Sequence, residues 1–143
     1  MTNTEILRDW FLGCPAIQEV MGFNADYLDE NPNMCSIYSL PSSLNYTEDV
    51  MGNISYRGRQ TLSFVLALSA PYGSDVRQNL ENLQFFSEVK EWMYTQNTLK
   101  NLPEINEGEV VSVMATQTEA VATATADTAT YQMRFDLIYW RSV

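Results

Sequence analysis

The sequence predicts an α+β fold: a mixed, mainly antiparallel sheet, a short N-terminal helix and one long central helix packed on one face. Three observations predict it. Residues 61–70 alternate large apolar with small side chains, which is typical of a strand with one buried face. Residues 131–139 repeat that alternation near the C-terminus. Between them, residues 76–93 place apolar side chains every three or four positions, the period of a helix lying on a core.

Length and composition restrict the class of protein. The 143 residues fit a single domain, 1–143, and they include 18 acidic residues, 8 basic residues and no histidine, for a net charge of −10. So few basic residues argue against a protein that grips the phosphate backbone, although nucleic acid can slide past an acidic wall. Acidity of this kind also serves simply to keep a protein in solution. No run approaches the ~20 apolar residues of a membrane span, and no signal peptide is evident, so we expect a non-secreted protein without membrane contact.

The lack of histidine also restricts the chemistry. Histidine is the commonest general base and the commonest metal ligand, and no spacing of carboxylates, Tyr or Lys replaces it. We therefore expect a protein that is not an enzyme and that uses no cofactor. Cys14 and Cys35 are too few for a disulfide framework, and we expect them to be buried free thiols.

The chain opens with a helix signal. Thr2 and Glu5 have the spacing of a capping box, and the apolar stripe that follows predicts a helix over residues 4–12. Gly13 and Pro15 end it.

The next segment, residues 16–32, is expected to be irregular. Asp26, Asp29 and Glu30 form a cluster of carboxylates there. Their spacing does not match the calcium-loop pattern, which also requires a distal bidentate glutamate, so we expect no metal site.

Two strands and a basic turn are expected next. Residues 35–40 alternate as a short strand, and residues 46–56 predict a second one, with a bulge or turn at Gly52-Asn53. Arg57 and Arg59 flank a glycine directly afterwards, and we place them at the tip of a hairpin. There they would meet phosphate or an acidic partner, or simply face solvent.

The central helix is predicted to open at Ser74 and Asp75 and to end before Pro103. The apolar side chains of the stripe expected to face the sheet are Val76, Leu80, Leu83, Phe86, Val89 and Met93. Nothing reactive accompanies them.

The C-terminal third predicts a long hairpin in which residues 109–123 pair with residues 129–140. Its Ala/Thr-rich end, residues 118–130, turns around Asp127 and has little bulk to hold it to a core. We expect this end to project, either as a contact with a neighbouring subunit or as a mobile tip.

The order of these elements resembles a family of small proteins of long-tailed phages and prophages, variously described as minor capsid, tail-completion or tail-terminator proteins. The residues that carry the resemblance are Tyr72-Gly73, Asn79, Glu81, Asn82, Phe85-Phe86, Trp92, Gln96-Asn97, Leu102-Pro103, Ala126-Asp127-Thr128-Ala129 and Tyr131. They cover about half of the chain, and their order carries the likeness rather than any single motif.

The resemblance implies an α+β fold and a structural activity. Tail-terminator proteins form a six-membered ring that caps the tail tube and joins it to the head, while DNA passes through the ring without specific binding. The implied partners are further copies of the chain, the tail tube protein and the head–tail connector. The implied location is the neck of the virion, and the bacterial cytoplasm during assembly. No catalytic residue is carried over.

We expect the ring contacts to come from two hairpins, residues 45–60 and 115–131. The candidate interface residues are Arg57, Arg59, Thr123, Thr125, Asp127 and Thr128. The two arginines would face an acidic neighbour. Two opposite projections suit the head-to-tail contact that a closed ring requires.

Two alternative functions stay open at the level of the sequence. The first is a head–tail connector, a ring one layer closer to the head. The second, from a different class, is a small-ligand-binding domain whose apolar pocket would be lined by aromatic side chains. In that case Trp10, Trp92 and Trp140 would converge.

Overall fold

The computed structural model describes residues 1–29 and 31–142, and its fold is α+β. The helices are α1 (Asn3–Phe11), α2 (Pro15–Gln18) and α3 (Val76–Leu99). The strands are β1 (Gly22–Ala25), β2 (Met34–Ser39), β3 (Thr47–Glu48), β4 (Ile54–Ser55), β5 (Gly58–Pro71), β6 (Glu109–Ala115), β7 (Ala120–Ala124) and β8 (Thr128–Arg141). Within the described ranges, no helix is both long enough and apolar enough to cross a membrane.

One mixed sheet organises the molecule. Its strands run in the order β1-β2-β5-β8-β6, and β7 pairs with β8 on the same side as β6. Among the described strands, only β1 and β2 are parallel to each other, so the predicted mixed, mainly antiparallel sheet is confirmed. The strands β3 and β4 form a separate two-stranded ribbon.

The two long strands, β5 and β8, supply most of the core. They pair over their full length, with Phe64 opposite Phe135 and Leu66 opposite Met133. These side chains share the face of the sheet on which the helices pack, in one buried cluster. The alternation seen in the sequence is therefore the difference between the face under the helices and the opposite face.

The opposite face carries small side chains. Ser63, Ala67 and Ser69 are nearly fully buried there, although each lies on the face of the sheet that points away from the helices. Arg134, on the neighbouring strand, donates a hydrogen bond from Nη2 to Ser63 Oγ at 3.0 Å. Arg134 thus lies over Ser63 within the subunit. Residues 66–70 of β5 are buried on both faces, so the prediction of one buried face is wrong for this part of the strand.

The long helix is confirmed, but half of its predicted buried stripe is wrong. Phe86, Val89 and Met93 are buried as expected, whereas Val76, Leu80 and Leu83 are exposed. Leu80 precedes Phe86 by six residues, which at ~100° per residue turns it roughly 120° away from the sheet. The helix carries two apolar stripes, and only the second one lies on the core.

A buried asparagine takes the place of the missing apolar contacts. Asn82 is almost fully buried in α3. Its Nδ2 donates to the carbonyl oxygen of Pro71 at 2.7 Å and reaches the Tyr131 hydroxyl at 3.4 Å. The start of the helix is therefore fixed to the ends of β5 and β8 by hydrogen bonds rather than by apolar packing.

The N-terminal region is more regular than predicted. Thr2 caps α1, because its hydroxyl oxygen accepts the Glu5 N–H at 3.2 Å. The segment expected to be irregular, residues 16–32, contains most of α2 and all of β1. Both elements have only four residues, which is too short for a period to show in the sequence.

Candidate functional site

A ribbon leaves the sheet between β2 and β5, and we call residues 43–57 the arm. Every residue of the arm is exposed. Its turn is held by Asp49, whose carboxylate accepts the N–H groups of Met51 and Asn53, each at 2.9 Å. Hydrogen bonds from Asn53 and Met51 hold the pKa of Asp49 below its ordinary value. The turn of the arm is therefore ordered without contact to the core.

The arm presents large apolar side chains to solvent. Val50 is fully exposed at the turn, and Met51 and Ile54 follow it. A two-stranded ribbon of this size is marginal by itself, and clustered exposed apolar side chains usually mark a surface that binds another molecule. The arm is the most evident candidate interaction surface of this chain.

Gln60 fixes the base of the arm. It is almost fully buried, and its Nε2 donates to the carbonyl oxygens of Asn45 at 2.6 Å and Tyr56 at 2.9 Å. Its Oε1 accepts the Asn45 N–H at 2.9 Å. One side chain thus joins both legs of the arm. The sequence analysis missed this residue, and nothing around it in the sequence signals the role.

The arginines predicted at a hairpin tip lie elsewhere, so that prediction is wrong. The turn of the ribbon is at residues 49–52, whereas Arg57 follows β4 and Arg59 lies in β5 opposite Trp140. The intervening Gly58 has a φ of 120°, which suits the joint between arm and strand rather than a tip. Both arginines are exposed at the base of the arm.

The second predicted hairpin forms, with a break. β6 and β7 both pair with β8, and residues 116–119 separate them. All five residues of β7 are exposed, and none of them is charged. An uncharged strand at a sheet edge is a template for pairing with another chain.

Hydrogen bonds hold the tip of this hairpin. Thr125 Oγ1 accepts the N–H groups of Asp127 at 3.3 Å and Thr128 at 3.1 Å. The Asp127 carbonyl oxygen accepts the N–H of Tyr72 at 2.8 Å, which joins the tip to the end of β5. Thr123, Thr125 and Asp127 are exposed, and Thr128 is half-buried.

The six candidate interface residues form two separate surfaces. Arg57 and Arg59 lie where β5 begins, and the β7–β8 tip lies where β5 ends, beside Pro71. A strand of that length spans about 45 Å, so one subunit cannot bring the two surfaces together. Any contact between them requires a second molecule.

The structure gathers no reactive constellation in the ranges that it describes. There, no three His, Cys, Asp or Glu side chains stand close enough to hold a metal ion, and Glu30 of the predicted carboxylate cluster lies outside those ranges. Cys14 and Cys35 are free and buried, as predicted, and burial raises the pKa of both thiols.

The three tryptophans do not converge, so that expectation is wrong. Trp10 and Trp92 pack together with ring centroids 4.6 Å apart. Trp140 is half exposed and lies opposite Arg59 on the other face of the sheet. The paired tryptophans join α1 to α3 and line no apolar pocket between them and Trp140.

Comparison with known proteins adds little. No protein-family model matches the sequence, and no curated protein matches it. One matching solved structure, of a protein known only by a serial identifier, is 12% identical over 96% of each chain, with a TM-score of 0.44. A likeness of that degree does not bear on function.

Proposed function

We propose that this chain is a structural component of a phage virion, a tail-terminator-like protein that forms a ring, caps the tail tube and joins it to the head. The observation that carries the proposal is the arm, whose apolar side chains have no cover within the subunit. A surface of that kind suits a protein whose task is assembly rather than chemistry.

The family resemblance is the second support, because its residues hold the fold together. Asn82 joins α3 to β5, Asn97 joins α3 to β6, and Trp92 packs on Trp10 of α1. These are contacts that a shared architecture would retain. They agree with the α+β fold that the resemblance implies, and the resemblance itself supplies no catalytic role.

The separation of the two surfaces supports a ring. A contact between different patches of identical subunits is heterologous, and it closes into a ring when the rotation between neighbours divides a full turn. The net charge of −10 suits a ring through which DNA passes without adhering. The expected partners are the tail tube protein and the head–tail connector, and the expected location is the neck of the virion.

The decisive experiment measures molar mass by light scattering over a wide concentration range, with negative-stain images of the same sample and of its mixture with purified tail tubes. We expect about six subunits per annular particle, and density at one end of each tube. Annular particles that bind the connector but do not bind tube ends would instead assign the protein to the connector layer. A closed dimer, or a monomer that leaves tube ends bare, would contradict the proposal.

The matched variant changes Arg57→Glu and Arg59→Glu together. Both side chains are exposed, so the circular dichroism spectrum should stay that of the wild type. Assembly should be lost, because the two arginines are assigned to an acidic neighbour. Assembly that persists unchanged would remove them from the contact.

A further inference from the structure

A hollow of about 450 Å³ lies beside the tip of the C-terminal hairpin, and we call it the hydroxyl hollow. Its walls come from β5, from the β7–β8 hairpin and from the loop between β1 and β2. The residues that line it include Leu28, Asp29, Ser69, Thr123, Ala124 and Thr130. Among the described residues of the lining, none is basic and none is aromatic.

Three hydroxyl side chains form a row across the hollow, on the face of the sheet that points away from the helices. Thr130 of β8 lies opposite Ser69 of β5 on one side and opposite Thr123 of β7 on the other. Directly opposite residues of an antiparallel pair place their side chains about 5 Å apart on the same face. The row therefore offers neighbouring oxygen atoms, each of which can accept a hydrogen bond.

Ser69 is the most informative member of the row. It is 3% exposed, and its Oγ has no hydrogen-bond partner within the described ranges. The other buried polar side chains there are all hydrogen-bonded, namely Ser36, Gln60, Ser63 and Asn82. Buried polar groups are nearly always paired. A buried hydroxyl that lines a hollow and lacks a partner therefore indicates that the hollow receives a polar group.

A carboxylate stands at the rim of the hollow. Asp29 is half-buried in the β1–β2 loop, and its Oδ1 accepts the N–H of Asn31 at 2.8 Å. The loop is joined to β5 at the same place, because the Asn33 N–H donates to the Ser69 carbonyl oxygen at 2.6 Å. Asp29 has no basic partner in the described part of the chain. Its charge beside unpaired hydroxyls favours a cationic ligand.

We propose that the hydroxyl hollow binds a primary ammonium group on a short alkyl stem, as in a lysine side chain or a free alkylamine. An ammonium group carries three N–H donors, and Asp29, Ser69 and Thr130 supply acceptors for them. Leu28 and Ala124 offer apolar contact to the stem, whose methylene groups bury readily while the charge keeps its polar partners. Such a site functions whether or not the chain forms a ring.

The lining fits other ligand classes less well. Anions bind where basic side chains or a helix N-terminus converge, and the described lining has neither. Calcium takes about six to eight oxygen ligands, usually with several carboxylates, whereas Asp29 is the single carboxylate of that lining. A guanidinium prefers both oxygens of a carboxylate, and one oxygen of Asp29 already accepts a backbone N–H.

The test titrates the full chain with pentylamine and with pentanol, its uncharged analogue. Isotope-labelled threonine methyl groups report binding by NMR in a monomer and in a large ring alike, and Thr123 and Thr130 lie in the hollow. We expect their signals to shift with a Kd of about 1–10 mM for the amine, since the ligand has few atoms. The alcohol should bind roughly 10-fold more weakly or worse, because it forms no charge-assisted hydrogen bond.

Two variants remove the acceptors one at a time. Asp29→Asn removes the charge but keeps an oxygen for the Asn31 N–H, and Ser69→Ala removes the unpaired hydroxyl. We expect the Kd of the amine to rise at least roughly 10-fold and roughly 3-fold, respectively. The matched controls are Asp26→Asn, an exposed acid of the same loop, and Ser112→Ala, a half-buried serine of β6. Both controls should bind as the wild type does, and thermal unfolding checks that every variant folds.

A peptide with one lysine and blocked termini distinguishes the two sources of the ammonium group. A peptide that binds as tightly as pentylamine assigns the hollow to a lysine of a protein partner, whereas binding of the amine alone assigns it to a small molecule.

Four results would overturn the proposal. They are threonine signals that do not shift up to about 100 mM amine, pentanol that binds as tightly as the amine, Asp26→Asn that weakens binding as much as Asp29→Asn, and calcium chloride that shifts the same signals at lower concentration than the amine. Equal losses in the two Asp variants would mean that the amine is attracted only by the overall negative charge. None of these measurements depends on ring formation, so the phage tail assignment is tested separately.

Discussion

At the scale of single residues, one ion pair joins the long helix to the C-terminal hairpin. Lys90 Nζ lies 2.8 Å from Glu119 Oε2, and the two side chains are 31% and 13% exposed. Burial raises the pKa of Glu119, but the hydrogen bond and charge of Lys90 outweigh that effect, so the pKa is below its ordinary value. Glu119 lies in the break between β6 and β7, outside the regular strand pairing with β8.

Removing the cation should therefore destabilise the fold. Lys90→Met leaves a largely buried carboxylate without its partner, and we expect the free energy of unfolding to fall by about 1–3 kcal/mol at pH 7. The matched control is Arg77→Met, whose partner Glu81 is exposed, and we expect less than about 0.5 kcal/mol there. Urea denaturation measures both, and equal losses would contradict a special role for the Lys90 pair.

The stabilising effect of the Lys90–Glu119 pair should depend on pH. The folded-state pKa of Glu119 is depressed, so its contribution to stability is full above the unfolded-state pKa, about 4.3, and is lost as the pH falls through the folded-state value. The difference between wild type and Lys90→Met should consequently shrink when urea denaturation is repeated near pH 3.

At the scale of secondary-structure elements, α3 covers the outer edge of β6 through one side chain. Asn97 Nδ2 donates to the Val113 carbonyl oxygen at 2.7 Å, and Asn97 Oδ1 accepts the Val113 N–H at 3.0 Å. The asparagine thus replaces the neighbouring strand that an edge lacks. β6 is blocked in this way at its centre, whereas all five residues of β7 are exposed.

We expect Asn97→Ala to lower the free energy of unfolding by about 2–4 kcal/mol, because Val113 is fully buried and both of its backbone groups would lose their partner. The control is Thr98→Ala, an exposed position whose hydroxyl bonds only to Tyr94 of its own helix. That change should cost less than about 0.5 kcal/mol. Thermal and urea unfolding of the two variants give the comparison, and similar values would show that water satisfies Val113 in the variant.

Strands with a long period-two pattern were predictable from the sequence. The large apolar face of each long strand was predictable from the alternation of its sequence, but only β8 is buried at alternate residues, whereas β5 is buried on both faces over residues 66–70. α3 was predictable as a helix but not in its orientation, because the segment has two apolar stripes. Choosing between them needs the position of the sheet, which local sequence does not contain.

The candidate site was predictable only in part. The two hairpins were expected, and a bulge or turn was expected at Gly52-Asn53, where the turn of the arm does lie, but the tip carrying the arginines was wrongly placed at Gly58. Asp-rich and Gly-rich turns look alike in a sequence, and the side-chain bonds of Asp49 decide between them. The exposure of Val76, Leu80 and Leu83 was not predicted, since an apolar residue on a helix is assigned to the core unless the structure shows otherwise.

At the scale of the whole molecule, the stable core and the candidate interaction surfaces are separate. The buried cluster lies between the helices and the β2-β5-β8-β6 region of the sheet. The arm and the exposed apolar residues at the start of α3 adjoin opposite ends of β5 and contribute no member to that cluster. Changes on either surface should therefore leave the fold intact.

The two thiols provide a test of how this core opens. Cys35 is fully buried on β2, opposite Leu68 in the middle of the sheet. Cys14 is equally buried, but it precedes α2, a helix of only four residues. Burial raises the pKa of both thiols, so the reactive thiolate is scarce in the native state.

We expect Cys35 to react with a thiol reagent only through global unfolding, and Cys14 to react faster through local opening of α2. The variants Cys14→Ala and Cys35→Ala each leave one thiol, and their labelling rates in low urea can be compared with the free energy of unfolding of the same protein. For the Cys35 thiol, the free energy of opening should equal the global value and fall with urea at the same slope. For the Cys14 thiol, both the free energy and the slope should be smaller, because opening four residues exposes little surface. A Cys35 thiol that labels as fast as Cys14, with no urea dependence, would show instead that β2 separates from the sheet in the native state.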